Sequence, residues 1–160
     1  MRVIFAPLRE CHLDAVLALE DELFGDQAWS EALYRADLKR TDRAWRGLFS
    51  PAGELVGYAG MYIAPQADLL TIGIGKAYQS RGYGKLLLSK MHALAKQLRV
   101  IELFLEVRLD NTPARHLYRT FGYEELGVRR HYYGRGVHAM VMRVRLADAP
   151  PGPIGAEIIM

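Results

Sequence analysis

The chain has 160 residues, of which 51% are hydrophobic and 24% charged, a balance that calls for one packed domain and excludes a disordered or fibrous chain. No apolar run approaches the roughly 18 residues that a membrane span needs, Met1–Pro7 is too short for a signal peptide, and a cytoplasmic location is expected. Cys11 is the single cysteine, which excludes an intramolecular disulfide, a cysteine-based zinc site and a redox pair, and the net charge of +3 suits an anionic ligand without indicating nucleic acid.

Val3 to Leu8 reads as a first strand. His12 to Phe24 then places Leu13, Val16, Leu17, Leu19, Glu20 and Leu23 on one helical face. Gly25-Asp26-Gln27 breaks that helix, Trp29 sits in the joint, and Ser30 is suited to cap a second helix over Glu31 to Lys39. Ala44 to Phe49 and Leu55 to Ile63 form a hairpin across Ser50-Pro51-Ala52-Gly53-Glu54, and Asp68 to Ile74 continues as the next strand. A glycine-rich segment follows, then a helix over Lys85 to Leu98, with Leu86, Leu87, Met91, Leu94, Ala95 and Leu98 at helical intervals. Val100 to Val107 reads as a buried strand carrying Glu102 and Glu106, which calls for cover on both faces. Thr112-Pro113 is a suitable N-cap and first position for a helix ending at Gly122. Tyr123 to Tyr133 and Val137 to Leu146 are a final strand pair joined through Gly134-Arg135-Gly136. The result is one α/β domain over residues 1–146, a mixed sheet of about seven strands with helices on both faces, and a flexible C-terminal extension over 147–160.

The chemistry begins at Gln79-Ser80-Arg81-Gly82-Tyr83-Gly84. A glycine pattern alone is weak, but this one follows the strand Leu69 to Ile74 and opens a helix, where backbone amides lack partners and the helix dipole is positive. Gly82 and Gly84 remove side chains that would keep a phosphate from those amides, and Arg81 and Lys85 add positive charge, so a nucleotide pyrophosphate is the expected guest. Two other phosphate motifs are excluded. Leu86 stands where a P-loop needs a hydroxyl for magnesium, and a dinucleotide fingerprint belongs near the first strand of a βαβ unit.

The succession Ile72-Gly73-Ile74, Tyr78 to Gly84, Leu105-Glu106-Val107-Arg108, Asn111, Leu117-Tyr118, Phe121-Gly122-Tyr123 and Arg129 to Tyr133 resembles the GNAT superfamily of N-acetyltransferases, particularly the ribosomal-protein-alanine N-acetyltransferases. The resemblance implies a GNAT fold with acetyl-CoA in a cleft where two central parallel strands splay apart. Its pantetheine would pair with backbone groups along Ile72, Gly73 and Ile74, and its pyrophosphate would be held by the amides of Gln79, Ser80, Arg81, Gly82, Tyr83, Gly84 and Lys85. Asn111 either contacts the pantetheine or caps the next helix. Acetyl-CoA is then a co-substrate, and no metal is expected.

An amine is mostly protonated at neutral pH and cannot attack a thioester, so a base is wanted near it and an acid near the departing thiolate. Glu106, in an otherwise apolar strand, is the best base, since partial desolvation suits a carboxylate to accept a proton; its alternative role is a salt bridge to Arg108. The similar enzymes use the tyrosine matching Tyr118 to protonate the sulfur; its alternative role is core packing with Leu117 and Phe121. Direct attack is expected, without a covalent intermediate.

Phe24 and Trp29 in the first joint, and Tyr132 and Tyr133 before the last turn, resemble the two loops that flank the peptide in N-terminal acetyltransferases, although Ala28 stands where those enzymes usually carry proline. The implied acceptor is a protein N-terminus, such as the N-terminal alanine of a small-subunit ribosomal protein. Acetylation of a small amine, favoured by Asp21, Glu22 and Asp26, and acyl-CoA sensing without turnover are the alternatives. Neither nucleic acid nor a membrane is expected as a partner, and the chain is expected as a monomer or weak homodimer. Arg129, Arg130, Arg135, Arg143 and Arg145, with His131 and His138, form either a solvated strand face or a rim that steers an anion.

Overall fold

The computed structural model describes residues 1–149 and the backbone of Ile158 and Ile159. In chain order the elements are β1 (Val3–Pro7), α1 (Leu13–Phe24), α2 (Glu31–Leu38), β2 (Arg43–Phe49), β3 (Leu55–Tyr62), β4 (Gln66–Ile74), α3 (Tyr83–Gln97), β5 (Glu102–Arg108), α4 (Thr112–Thr120), β6 (Glu124–Gly134), β7 (Val137–Arg145) and β8 (Ile158–Ile159). Through β7 the order of types is the one the hydrophobic periodicity implies; β8, inside the stretch expected as a flexible extension, adds an eighth strand to the seven expected. The sheet runs β6-β7-β5-β4-β3-β2-β1-β8, antiparallel except where β4 meets β5 and β1 meets the two-residue β8. The flexible extension expected from residue 147 lies largely outside the described residues; its start, Ala147 and Asp148, completes a 3-10 turn begun by the buried Leu146.

Two apolar layers sandwich the sheet. On one face α3 and α4 cover Leu87, Leu88 and Met91 against Val56, Leu103 and Met142. On the other, α1 and α2 cover Leu13, Val16 and Tyr34 against Trp45, Leu55 and Tyr58. At this second contact the end of α1 sits directly on β4: a Cβ on Gly73 would lie 2.7 Å from Leu23 Cδ1 and would have to displace that side chain's tip.

The parallel pair is short. Only Gln66, Ala67 and Asp68 of β4 register with Glu102, Leu103 and Phe104 of β5. Immediately beyond, β4 carries an extra residue against β3, with Met61 opposite Leu69 and Gly60 opposite Thr71. A bulge of this kind bends its strand, and β4 runs on to Ile74 and β5 to Arg108 without further pairing to each other, opening the sheet between them.

Two helix starts differ from expectation. α3 begins at Tyr83 rather than Lys85, because Gly82, at φ 86°, takes the left-handed conformation that turns the chain into the helix. The cap of α4 is Asn111 rather than Thr112: its side-chain oxygen accepts from the Ala114 amide at 3.2 Å, placing the shorter Thr112 inside the first turn. Ser30 caps α2 as expected, accepting from the Leu33 amide at 3.2 Å.

Candidate active site

The splay opens into a cleft of about 320 Å³ bounded by α1, the α1–α2 joint, β4, β5, α4 and the end of β6. Seven of the residues singled out from the sequence share its lining: Phe24, Trp29, Ile72, Glu106, Asn111, Tyr118 and Tyr133. Tyr132 does not line it, but its ring stands edge-on to Tyr133 at 4.8 Å between centroids.

Along the β4 wall, the Gly75 amide donates to Val56 O at 2.9 Å, on the β3 side. Successive residues alternate in an antiparallel ladder. Gly73 therefore faces β3 as well, and the backbone groups of Ile72 and Ile74 face the gap toward β5. The Gln79 side chain folds back to donate to Ile74 O at 2.9 Å, fastening the start of the glycine loop to the strand end.

In that loop Ser80 and Gly82 both have left-handed backbone, at φ 62° and 86°. The first helical bond of α3 runs from the Leu86 amide to Gly82 O, so the amides of Tyr83, Gly84 and Lys85 precede it and form the donor end of the helix. A Cβ on Gly84 would meet only Ile74 Cγ1, at 3.9 Å, so protein packing does not demand glycine there. The open space beside Gly84, these amides and the exposed Arg81 and Lys85 fit a pyrophosphate. Among the described residues no group of three His, Cys, Asp or Glu is placed to hold a metal ion.

On the β5 wall, Glu106 is ion-paired with Arg129 of β6 at 3.1 Å and not with Arg108, which instead pairs with Asp110 at 3.0 Å. The isolated carboxylate expected from the apolar strand thus has a cation beside it, supplied by a strand that sequence order could not place. Tyr118 is 8% exposed. Burial first, and then the neighbouring Tyr133 phenol, push its pKa well above the ordinary phenol range, so it stays protonated and able to donate. Burial, Tyr132 and Glu106 push Tyr133 up to about 12.

The acceptor side is closed by a stretch of β6 that leaves its ladder. Arg129 is opposite Ala139 and Gly134 opposite Val137, so four residues of β6 bulge against one of β7. His131, at φ 57°, turns this bulge; its amide donates to His138 Nδ1 at 2.9 Å, and its own Nδ1 accepts from the Gly136 amide at 2.8 Å. The bulge swings Tyr133 over the cleft, where its hydroxyl donates to Glu106 O at 3.1 Å. From the opposite wall Gln27 donates to Tyr133 O at 2.8 Å, joining the two loops across the mouth. Farther along the strands, Arg143 and Arg145 pair with Glu102 and Glu124, which makes that basic stretch an ion-paired strand face.

Sequence reasoning named Gln27, Arg129 and Glu20 without their contacts to Tyr133, Glu106 and the Trp29 amide. Glu20 had a signal: a carboxylate in the apolar face of α1, which the structure buries to 2% exposure on the cleft lining.

The sequence model of the acetyltransferase (GNAT) family matches residues 13–123. The chain belongs to this family. The N-alpha-acetyltransferase RimI of Mycobacterium tuberculosis is 39% identical over 132 residues, covering 78% of this chain and 81% of the relative. A putative [ribosomal protein bS18]-alanine N-acetyltransferase of Bacillus subtilis is 30% identical over 85% of this chain and 91% of its own length. Among solved structures, the ribosomal-protein-S18-alanine N-acetyltransferase from Escherichia coli superposes with a TM-score of 0.81 at 26% identity, over 92% of this chain and 96% of that one. The GNAT domain is accordingly that of an N-acetyltransferase with acetyl-CoA as donor. No helix among the described residues is long and apolar enough to cross a membrane.

Proposed function

We propose that this enzyme acetylates the α-amine of a protein N-terminus, and that its acceptor in the cytoplasm is the N-terminal alanine of a small-subunit ribosomal protein. The observation that carries this reading is the Gln27–Tyr133 bridge, 2.8 Å long, over a cleft whose lining includes Glu106 and Tyr118. A mouth crossed by a tie between two loops admits an extended chain end more readily than a side chain on a folded surface. The named relatives, two of them enzymes of ribosomal protein alanine, support the same acceptor.

In this mechanism acetyl-CoA brings a thioester already activated toward attack. The amides of Tyr83, Gly84 and Lys85 hold its pyrophosphate, and the edges of Ile72 and Ile74 pair with its pantetheine. Glu106 takes a proton from the incoming ammonium, freeing the nitrogen lone pair to form the new C–N bond as the C–S bond breaks. Tyr118, kept protonated by burial, gives its proton to the departing sulfur, and the second proton of the acylated nitrogen returns to the phenolate, leaving the amide, the thiol and one proton on Glu106 for release to solvent. Asn111 holds the first turn of α4, on which Tyr118 is carried. No covalent enzyme intermediate is needed.

A small-amine acceptor is less well supported. Asp21, Glu22 and Asp26 do not line the cleft, and Glu22 already accepts from the Lys76 amide at 3.1 Å. Incubation with acetyl-CoA and peptides differing only in their first residue, set against a polyamine panel, tests the assignment by mass. The expected result is a single acetyl group on peptides with free N-terminal alanine and none on N-terminally blocked copies; modification of polyamines alone overturns it.

A further inference from the structure

Glu20 is a buried carboxylate with an unusual set of partners. It lies on the apolar face of α1 at 2% exposure and accepts from three uncharged donors on three different segments. The hydroxyls of Tyr34 in α2 and Tyr58 in β3 both reach Oε1, the latter at 2.6 Å, while the Trp29 backbone amide reaches Oε2 at 2.9 Å. Burial pushes both phenols far above their ordinary range, so they remain donors.

Burying a carboxylate here is costly, and a leucine of similar volume would avoid that cost only by leaving the buried Tyr34 and Tyr58 hydroxyls without their acceptor. A leucine also lacks an acceptor for the Trp29 amide. Trp29 sits in the joint on the acceptor wall, its ring packed against Tyr34 and Trp45 at 5.2 and 5.7 Å between centroids. Two residues earlier, Gln27 makes the bridge to Tyr133. The joint is therefore anchored at one point to the core and at another to the opposite loop, and the core anchor is Glu20.

We propose that Glu20 is a positioning residue for the acceptor: it holds the α1–α2 joint at the height where Phe24, Gln27 and Trp29 wall the channel for the incoming peptide. The inference rests on the peptide-acceptor reading above. Glu20 acts through the Trp29 amide, and its three donors all lie outside the loop at Gln79–Lys85, so its loss acts on peptide recognition more than on the coenzyme.

Steady-state kinetics of E20L, E20D and E20Q test this. E20L fills the volume without an acceptor, and E20D keeps the charge but withdraws the oxygens by about 1.5 Å. Both are expected to raise the peptide KM by about tenfold, the effect of losing one hydrogen bond to a charged group, with the acetyl-CoA KM changed by less than about twofold. E20Q, whose amide oxygen is able to turn toward the Trp29 amide, is expected to recover most of the loss. A wild-type peptide KM in E20D, or parallel rises in both KM values, overturns the proposal; E20D decides the question if E20L does not fold. If the wild-type enzyme acetylates no peptide, the acceptor reading fails separately. Amide hydrogen exchange then tests the anchor, with faster exchange at Trp29 but not in α3 of E20D expected, and unchanged exchange at Trp29 refuting it.

Discussion

The carboxylate of Glu106 and the guanidinium of Arg129 stand 3.1 Å apart, and the same guanidinium lies 4.6 Å above the ring of Tyr132. On the proposed mechanism, in which Glu106 receives the acceptor ammonium, a cation thus already stands beside the base. Arg129 is 57% exposed, and an exposed ion pair contributes at most about 1 kcal/mol to stability. Arg129→Gln is expected to leave the unfolding transition nearly unchanged and to lower the peptide KM, since the ammonium no longer competes with the guanidinium. Kinetics at two salt concentrations check it, because added salt screens the pair and narrows the difference between the two proteins.

Removing the acid and removing the base are expected to look alike in rate. Glu106→Gln and Tyr118→Phe each lose about 10²–10⁴ in kcat, the range for general acid or base catalysis, while coenzyme binding by titration is retained. Full activity in both variants refutes the proposed proton transfers and leaves the family assignment standing.

Gly82 takes φ 86°, where a side chain is strained even though a Cβ would meet nothing within 4 Å. Gly82→Ala is expected to cost about 1 kcal/mol of stability. It also disturbs the amides that follow it, so the acetyl-CoA KM rises more than the peptide KM. Calorimetric titration with coenzyme A reads the first effect without the acceptor.

His92, 4% exposed, shares a 2.8 Å hydrogen bond with the Tyr123 hydroxyl. Burial, with Lys96 adding to it, lowers the imidazole pKa from 6.5 to about 4. A depressed value means that the unfolded chain takes up this proton first. The stabilisation is therefore full above pH 6.5 and is lost as the pH falls from there through about 4, by roughly 3 kcal/mol in all. Denaturant unfolding across this window is expected to show the decline, and His92→Gln, which keeps a partner for Tyr123 but does not titrate, is expected to flatten it.

Local signals in the sequence sufficed for the order of strands and helices through β7 and for the turn from Gln79 into α3. Apolar spacing in α3, the turn formers between β2 and β3, and glycines between a strand and a helix each act within a few residues, so their meaning survives without the fold. Ser30 as a cap and the glycine loop as a helix N-terminus belong to the same class. Tertiary structure alone decided the contacts that join the residues proposed for the acceptor side. The bulge after Leu69 parts β4 from β5, and the strand order sets β7 against β5, which carries Arg129 of β6 to Glu106, 23 residues away in sequence. Gln27 reaches Tyr133 across 106 residues. Such pairs depend on which strands neighbour one another and where a ladder bulges, and no spacing along the chain encodes that. Glu20 lies between the two cases: its place on an apolar helix face was visible in sequence, but its three donors come together only when α2 and β3 pack over α1.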